Sequence, residues 1–195
     1  HTKLENSAGK FDINKQAESF LIPLLNQVFG KKFSRTEILK VNYAAVDLIS
    51  DDGKLCIQVT SQKGLAKIKN TLVKYIETRQ FENWELIHLV IDETFESNIK
   101  EKELQNFIEE EVKKLKSPPA AKVKFTRESI WNMADLRIQI ERNCKSDQLG
   151  QIREFLRSQY GNVTGLPGFR EILIPYDVYY YDKLQQDSLI QPFRF

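Results

Sequence analysis

The chain has almost no cysteine: Cys56 and Cys144 are its only two, too few and too far apart for a disulfide framework. Histidine is as scarce, and His1 and His88 leave little with which to complete a zinc site. Both cysteines therefore read as reduced thiols. No run of about 18 apolar residues occurs, and the N-terminus shows no basic segment leading into an apolar stretch and a small-residue cleavage site. No membrane span or secretory leader is expected, and the expected compartment is the cytoplasm. An excess of one charge is missing too. The 29 Lys and Arg face 27 Asp and Glu, a net charge of +2, which neither demands nor forbids nucleic acid. The chain opens on His1-Thr2 without a methionine, so it reads as a trimmed chain or a piece of a longer one, and His1 carries no functional weight.

What is present is a globular composition. At 195 residues, 41% hydrophobic and 29% charged, the chain can bury one proper core and is short for two. Residues 12–29 predict an amphipathic helix in which Phe20, Leu21, Leu24, Leu25 and Val28 recur at helical spacing. Ser7 or Asn14 is its expected cap and Gly30 its stop. Two β-branched stretches, 42–49 and 54–60, flank Ser50-Asp51-Asp52-Gly53 and predict a hairpin, because Gly tolerates positive φ and Asp hydrogen-bonds its own backbone. Helical spacing returns over 64–78 through Leu65, Ile68, Leu72, Tyr75 and Ile76, followed by a buried strand at 86–91. A helix over 98–115 stops at Ser117-Pro118-Pro119. A short strand at 123–126 and helices over 131–142 and 148–160 complete the order.

That order predicts an α/β domain over residues 1–160, with a mixed central sheet flanked by helices. Residues 161–195 differ: Tyr176, Tyr179, Tyr180, Tyr181, Phe193 and Phe195 crowd a stretch with three prolines. Such a segment predicts an arm or linker that docks on its own domain, grips a second copy in a homodimer, or leads to a downstream effector domain or partner protein.

The chemistry concentrates in the hairpin. Strand alternation puts Asp47 on one face with Ala45 and Ile49, and Gln58 on one face with Cys56 and Thr60. Each strand thus shows one polar side chain among apolar neighbours. A carboxylate facing an amide across a tight hairpin brings two oxygen ligands together, as a hard cation such as Mg²⁺ or Mn²⁺ requires. A lysine beside them polarises water or stabilises developing phosphate charge. Lys63, just past the second strand, and Lys67, in the first turn of the next helix, are the two candidates. Basic residues gather at Lys31, Lys32 and Arg35 and again at Lys63, Lys67, Lys69, Lys74 and Arg79, and each run alone reads as a solvated face. His88, inside an apolar strand, reads as a hydrogen-bonded core histidine, and Trp84 and Trp131 as core anchors.

This constellation resembles the PD-(D/E)XK, restriction-endonuclease-like nucleases, in which an Asp, then a Glu or Gln, then a Lys sit on consecutive strands after a helix that often supplies a Glu. Asp47 matches the first position, Gln58 the second and Glu18 the helix position. Thr60 stands where the lysine is expected, which leaves Lys63 or Lys67 to take that role. More narrowly, Leu24-Leu25-Asn26, Ala45-Val46-Asp47-Leu48, Ile57-Gln58-Val59-Thr60-Ser61, and Lys67-Ile68 followed by Thr71-Leu72 resemble the SMEK domain over roughly residues 12–160. That family precedes effector modules in prokaryotic defence-like systems and is considered nuclease-like.

The resemblance implies a restriction-endonuclease-like fold and a Mg²⁺- or Mn²⁺-dependent DNA phosphodiesterase. Glu18, Asp47 and Gln58 would hold the metal, and Asp47, Gln58 and Lys63 or Lys67 would carry the reaction. The alternative is a nuclease-derived module without turnover that binds or senses nucleic acid or a partner protein.

Overall fold

The computed structural model describes residues 2–37 and 45–160, and the side chains of 14–37 and 45–159. The chain divides into two units, His1–Cys144 and Lys145–Phe195. The first opens on helix α1 (Thr2–Phe29) and strand β1 (Phe33–Arg35). It continues through β2 (Leu48–Ser50), β3 (Leu55–Thr60), α2 (Leu65–Glu77), β4 (Glu85–Val90), α3 (Glu101–Lys113), β5 (Ile130–Trp131) and α4 (Met133–Asn143). The sheet order is β1-β2-β3-β4-β5. Strands β1, β2 and β3 are antiparallel to one another in turn, whereas β4 and β5 run parallel to β3, so the sheet is mixed.

Alternation sorts the sheet into two faces. On one lie Cys56, Gln58 and Thr60, in register with Leu86, His88 and Val90, and Ile130 opposite His88. Helices α2 and α3 cover this face through Ile68, Leu72, Ile76, Leu104 and Ile108. On the other lie Ile57, Val59, Ile87 and Leu89, all buried, on the side where α1 and α4 pack together. Trp131, on that side of β5, stacks on Phe29 of α1 with ring centroids 5.7 Å apart.

The hairpin forms where expected. Ser50 Oγ lies 2.6 Å from Asp52 Oδ1 and accepts the Leu55 N–H at 3.1 Å, while the Gly53 N–H closes on the Ser50 carbonyl at 3.0 Å. Gly53 sits at φ +63, the left-handed region. A Cβ there would meet only Trp84 Nε1, at 3.7 Å, so the cost of Gly53→Ala is the backbone's own. We expect a loss of about 1 kcal/mol, read from a urea titration. An unchanged midpoint would contradict the turn as described.

Four expectations are corrected. Helix α1 begins at Thr2 rather than at Asp12, so Asn14 lies inside it, and its Oδ1 accepts the Ser61 N–H at 3.0 Å instead of capping the helix. Asp47 falls just before β2 rather than within a strand. The ladder nonetheless runs on through it, since its N–H donates to the Ile57 carbonyl at 3.0 Å and its carbonyl accepts the Thr36 N–H at 2.9 Å. Residues 123–126 form no strand. Phe125 enters the core as a single buried side chain, its carbonyl accepts from Gln105 Nε2 of α3 at 2.9 Å, and Ile130–Trp131 takes the place beside β4 instead. His88 is buried as expected, but neither ring nitrogen finds a hydrogen-bond partner.

In the second unit the described residues form α5 (Ser146–Tyr160), with Leu149, Ile152 and Leu156 buried along one stripe. The expected arm at 161–195 lies outside the described residues, as do 42–44 of the first hairpin strand. Cys56 and Cys144 are both buried free thiols. Among the described residues, no helix is long and apolar enough to cross a membrane.

Candidate functional site

Three polar side chains, Asp47, Gln58 and His88, form a row across the sheet face that α2 covers. The continued β2–β3 ladder sets Asp47 beside Gln58, and the β3–β4 register sets Gln58 beside His88. Asp47 Oδ2 accepts two hydrogen bonds, from the Val59 N–H at 2.7 Å and from Gln58 Nε2 at 2.5 Å. Gln58 Nε2 also donates to the Val59 carbonyl at 3.1 Å. Both amide N–H groups are thereby used, and Oε1 is the acceptor that remains. An amide donating to a carboxylate also fixes which end of the Gln58 head is nitrogen.

Glu18, on α1, is near enough to the row to feel the Asp47 charge. It is buried, and its Oε2 lies 3.6 Å from Arg35 Nε of β1. Burial, with the nearby Asp47 charge, pushes the Glu18 carboxyl up to about 7 despite Arg35. Burial likewise pushes Asp47 up to about 6, opposed by the Val59 N–H, the Lys67 charge and the Gln58 hydrogen bond. Two carboxylates that resist ionisation beside each other are a place where added positive charge is stabilising.

The two candidate lysines part company. Lys63 Nζ pairs with Asp92 Oδ2 at 2.5 Å, beyond the end of β4. Lys67 differs: its charge lowers the pKa of both Asp47 and His88. Thr60, at the position where a lysine was expected, is buried and turns its Oγ1 to accept the Gln62 N–H at 3.1 Å, which shapes the loop into α2. Two more of the basic run have partners of their own. Lys69 pairs with Glu103 at 3.4 Å and lies over the Phe107 ring, and Arg79 binds Glu82 and the Ser117 carbonyl.

The donor set is two carboxylates and one amide oxygen, all hard ligands of the kind Mg²⁺ and Mn²⁺ take. Among the described residues, no group of three or more His, Cys, Asp or Glu could hold a metal. An ion at this row therefore depends on Gln58 Oε1 as a third protein donor. An open groove of about 760 Å³ at the start of β3 and β4, lined by Phe29, Lys54, Trp84 and Trp131 among others, includes none of Glu18, Asp47, Gln58 and Lys67.

The family model of the SMEK domain matches residues 1–141. The chain belongs to the SMEK domain family. No curated protein and no solved structure matches. The SMEK match takes in the polar row, Glu18, Lys67 and all five strands, and it ends within α4.

Two residues of this SMEK domain's site were not singled out from the sequence. Glu37, exposed and paired with Lys15 at 3.3 Å, adds negative potential to both Glu18 and Asp47. Arg35, seen only as part of a basic cluster, is the ion-pair partner of Glu18. No local pattern marks either one, because α1 and β1 meet only through the tertiary fold.

Proposed function

We propose that this SMEK domain has a restriction-endonuclease-like fold and is a phosphodiesterase of the PD-(D/E)XK type, cleaving DNA with Mg²⁺ or Mn²⁺. The observation that carries the reading is the Gln58–Asp47 hydrogen bond, with Asp47 and Glu18 both raised by burial, the Asp47 charge acting on Glu18 and the Lys67 charge on Asp47. DNA as the substrate comes from the nuclease resemblance.

In this reading Glu18, Asp47 and Gln58 Oε1 hold the ion. A bound Mg²⁺ would polarise the scissile phosphate and lower the pKa of a bound water. The chain's own residues prepare that place. The Val59 N–H and Gln58 Nε2 fix Asp47 Oδ2, so the other carboxylate oxygen is aimed by a rigid strand rather than by a loop. Lys67 supplies the positive charge that meets a phosphate oxygen, from a helix turn set by the β3–α2 connection.

A reading without turnover, as a nucleic-acid-binding or sensing module, is favoured by one observation: Thr60 fills the strand position of the lysine and is committed to the loop. Incubating supercoiled DNA with the protein and Mn²⁺ separates the two. Cleavage that falls about 100-fold in Lys67→Met but stays within about twofold in Lys63→Met is the expected result. DNA retained by the protein but never cut supports the module, and equal losses in both variants would remove the special role of Lys67.

A further inference from the structure

We propose that Arg35 is a positioning residue that holds Glu18 in place for the metal, an inference that rests on the phosphodiesterase reading above. Three contacts carry it. The Arg35 guanidinium lies 3.6 Å from Glu18 Oε2 through Nε, and its Nη2 donates to the Lys15 carbonyl and to Ser19 Oγ. All three acceptors sit on the turn of α1 that bears Glu18. Arg35 therefore grips the carboxylate and the helix backbone around it at once, which the planar fork of a guanidinium allows and a single ammonium does not.

That turn has a reason to need gripping. Pro23 lies inside α1 and has no N–H to pair with the carbonyl four residues earlier, on Ser19. The helix ladder is thus one bond short next to Glu18, and Arg35 reaches the same residue from outside. At its other end Arg35 is fixed in the sheet: it is in register with Leu48, and the neighbouring Thr36 N–H donates to the Asp47 carbonyl at 2.9 Å. Arg35 and its neighbour Thr36 thereby link Glu18 on the helix to Asp47 on the sheet.

The donors of Arg35 point at α1, so it acts through Glu18 and is not itself a ligand. Its charge works against a cation, whereas its hydrogen bonds favour one by fixing a ligand. Arg35→Lys keeps the charge and removes the fork, so it isolates the positioning role. Residues that hydrogen-bond a metal's ligands are worth roughly 10–100-fold in metal affinity.

The test is Mn²⁺ binding by the 195-residue chain, followed by isothermal titration, with thermal melting as the folding control. The variants are Glu18→Gln, Arg35→Lys and the two combined. We expect Arg35→Lys to weaken Mn²⁺ binding about tenfold at an unchanged melting temperature. We also expect the double variant to bind no more weakly than Glu18→Gln alone, because Arg35 acts only through that carboxylate. A merely structural Arg35 would instead lower the melting temperature and add its loss to that of Glu18→Gln. Parent-like affinity in Arg35→Lys, with Glu18→Gln weakened, overturns the inference and leaves the metal site standing. No Mn²⁺ binding by the parent chain overturns both.

Discussion

Asp47→Asn is expected to abolish DNA cleavage and to weaken Mn²⁺ binding by about 100-fold or more, while leaving the protein at least as stable at pH 8. The substitution keeps the shape of the side chain and one oxygen to accept the Val59 N–H and the Gln58 amide, so the strand pairing survives. It removes the one charge that a cation requires at the centre of the row. Stability should not fall, because burial makes the ionised carboxylate costly: a carboxyl held at about 6 instead of 3.8 costs about 3 kcal/mol when it ionises, at 1.36 kcal/mol per pH unit. Removing a group that serves function at the expense of stability commonly raises the melting temperature. Cleavage that persists in Asp47→Asn would assign the activity to another part of the chain.

Stability should fall as pH rises through the site's range, and two substitutions should reverse the sign. Glu18 is raised from 4.5 to about 7 and Asp47 from 3.8 to about 6, so the folded chain holds both protons more tightly than the unfolded chain does. Their contribution is full below about pH 4 and is lost as pH rises through 6 and 7.

His88 works the other way. Burial, with the Lys67 charge, lowers it from 6.5 to about 3, so its contribution is full above 6.5 and is lost as pH falls toward 3. From pH 5 to 7.5 the acids lose about two pH units of advantage at Glu18 and one at Asp47, and His88 regains about one and a half. The net is a loss of about 2 kcal/mol. With Glu18→Gln and Asp47→Asn combined, only His88 remains in the balance, and stability should rise by about 2 kcal/mol over the same range. Urea titrations at pH 5, 6, 7 and 7.5 read both curves. A double variant that still loses stability with rising pH would show that other groups set the profile. Mn²⁺ should restore the parent at pH 7.5, since a ligand that binds only the folded chain stabilises it.

Much of the fold was legible because its signals are local. The apolar stripe Ile68, Leu72, Tyr75, Ile76 lies within one helix and is buried as its spacing implies. The β3 and β4 runs were found to within a residue, since strands buried on both faces read as continuous apolar stretches. The Asp47–Gln58 contact was legible for the same reason: a four-residue turn fixes register, and register fixes which side chains face each other. The strand expected at 123–126 failed on this logic. Val123 and Phe125 alternate with exposed neighbours like a strand, but alternation also arises where one ring, Phe125, plugs a core between exposed Lys124 and Thr126.

By itself the sequence determined the helix and strand periods, the hairpin, the family, and the pairing of a carboxylate with an amide, all set by residues near one another in the chain. Only the tertiary structure decided that Lys63 pairs with Asp92 while the Lys67 charge acts on Asp47 and His88, that Arg35 pairs with Glu18, that Glu37 adds to the negative field at Asp47, and that His88 is buried without partners. Ion pairs and burial between separate elements depend on which elements meet, and that depends on how all the apolar faces are covered at once.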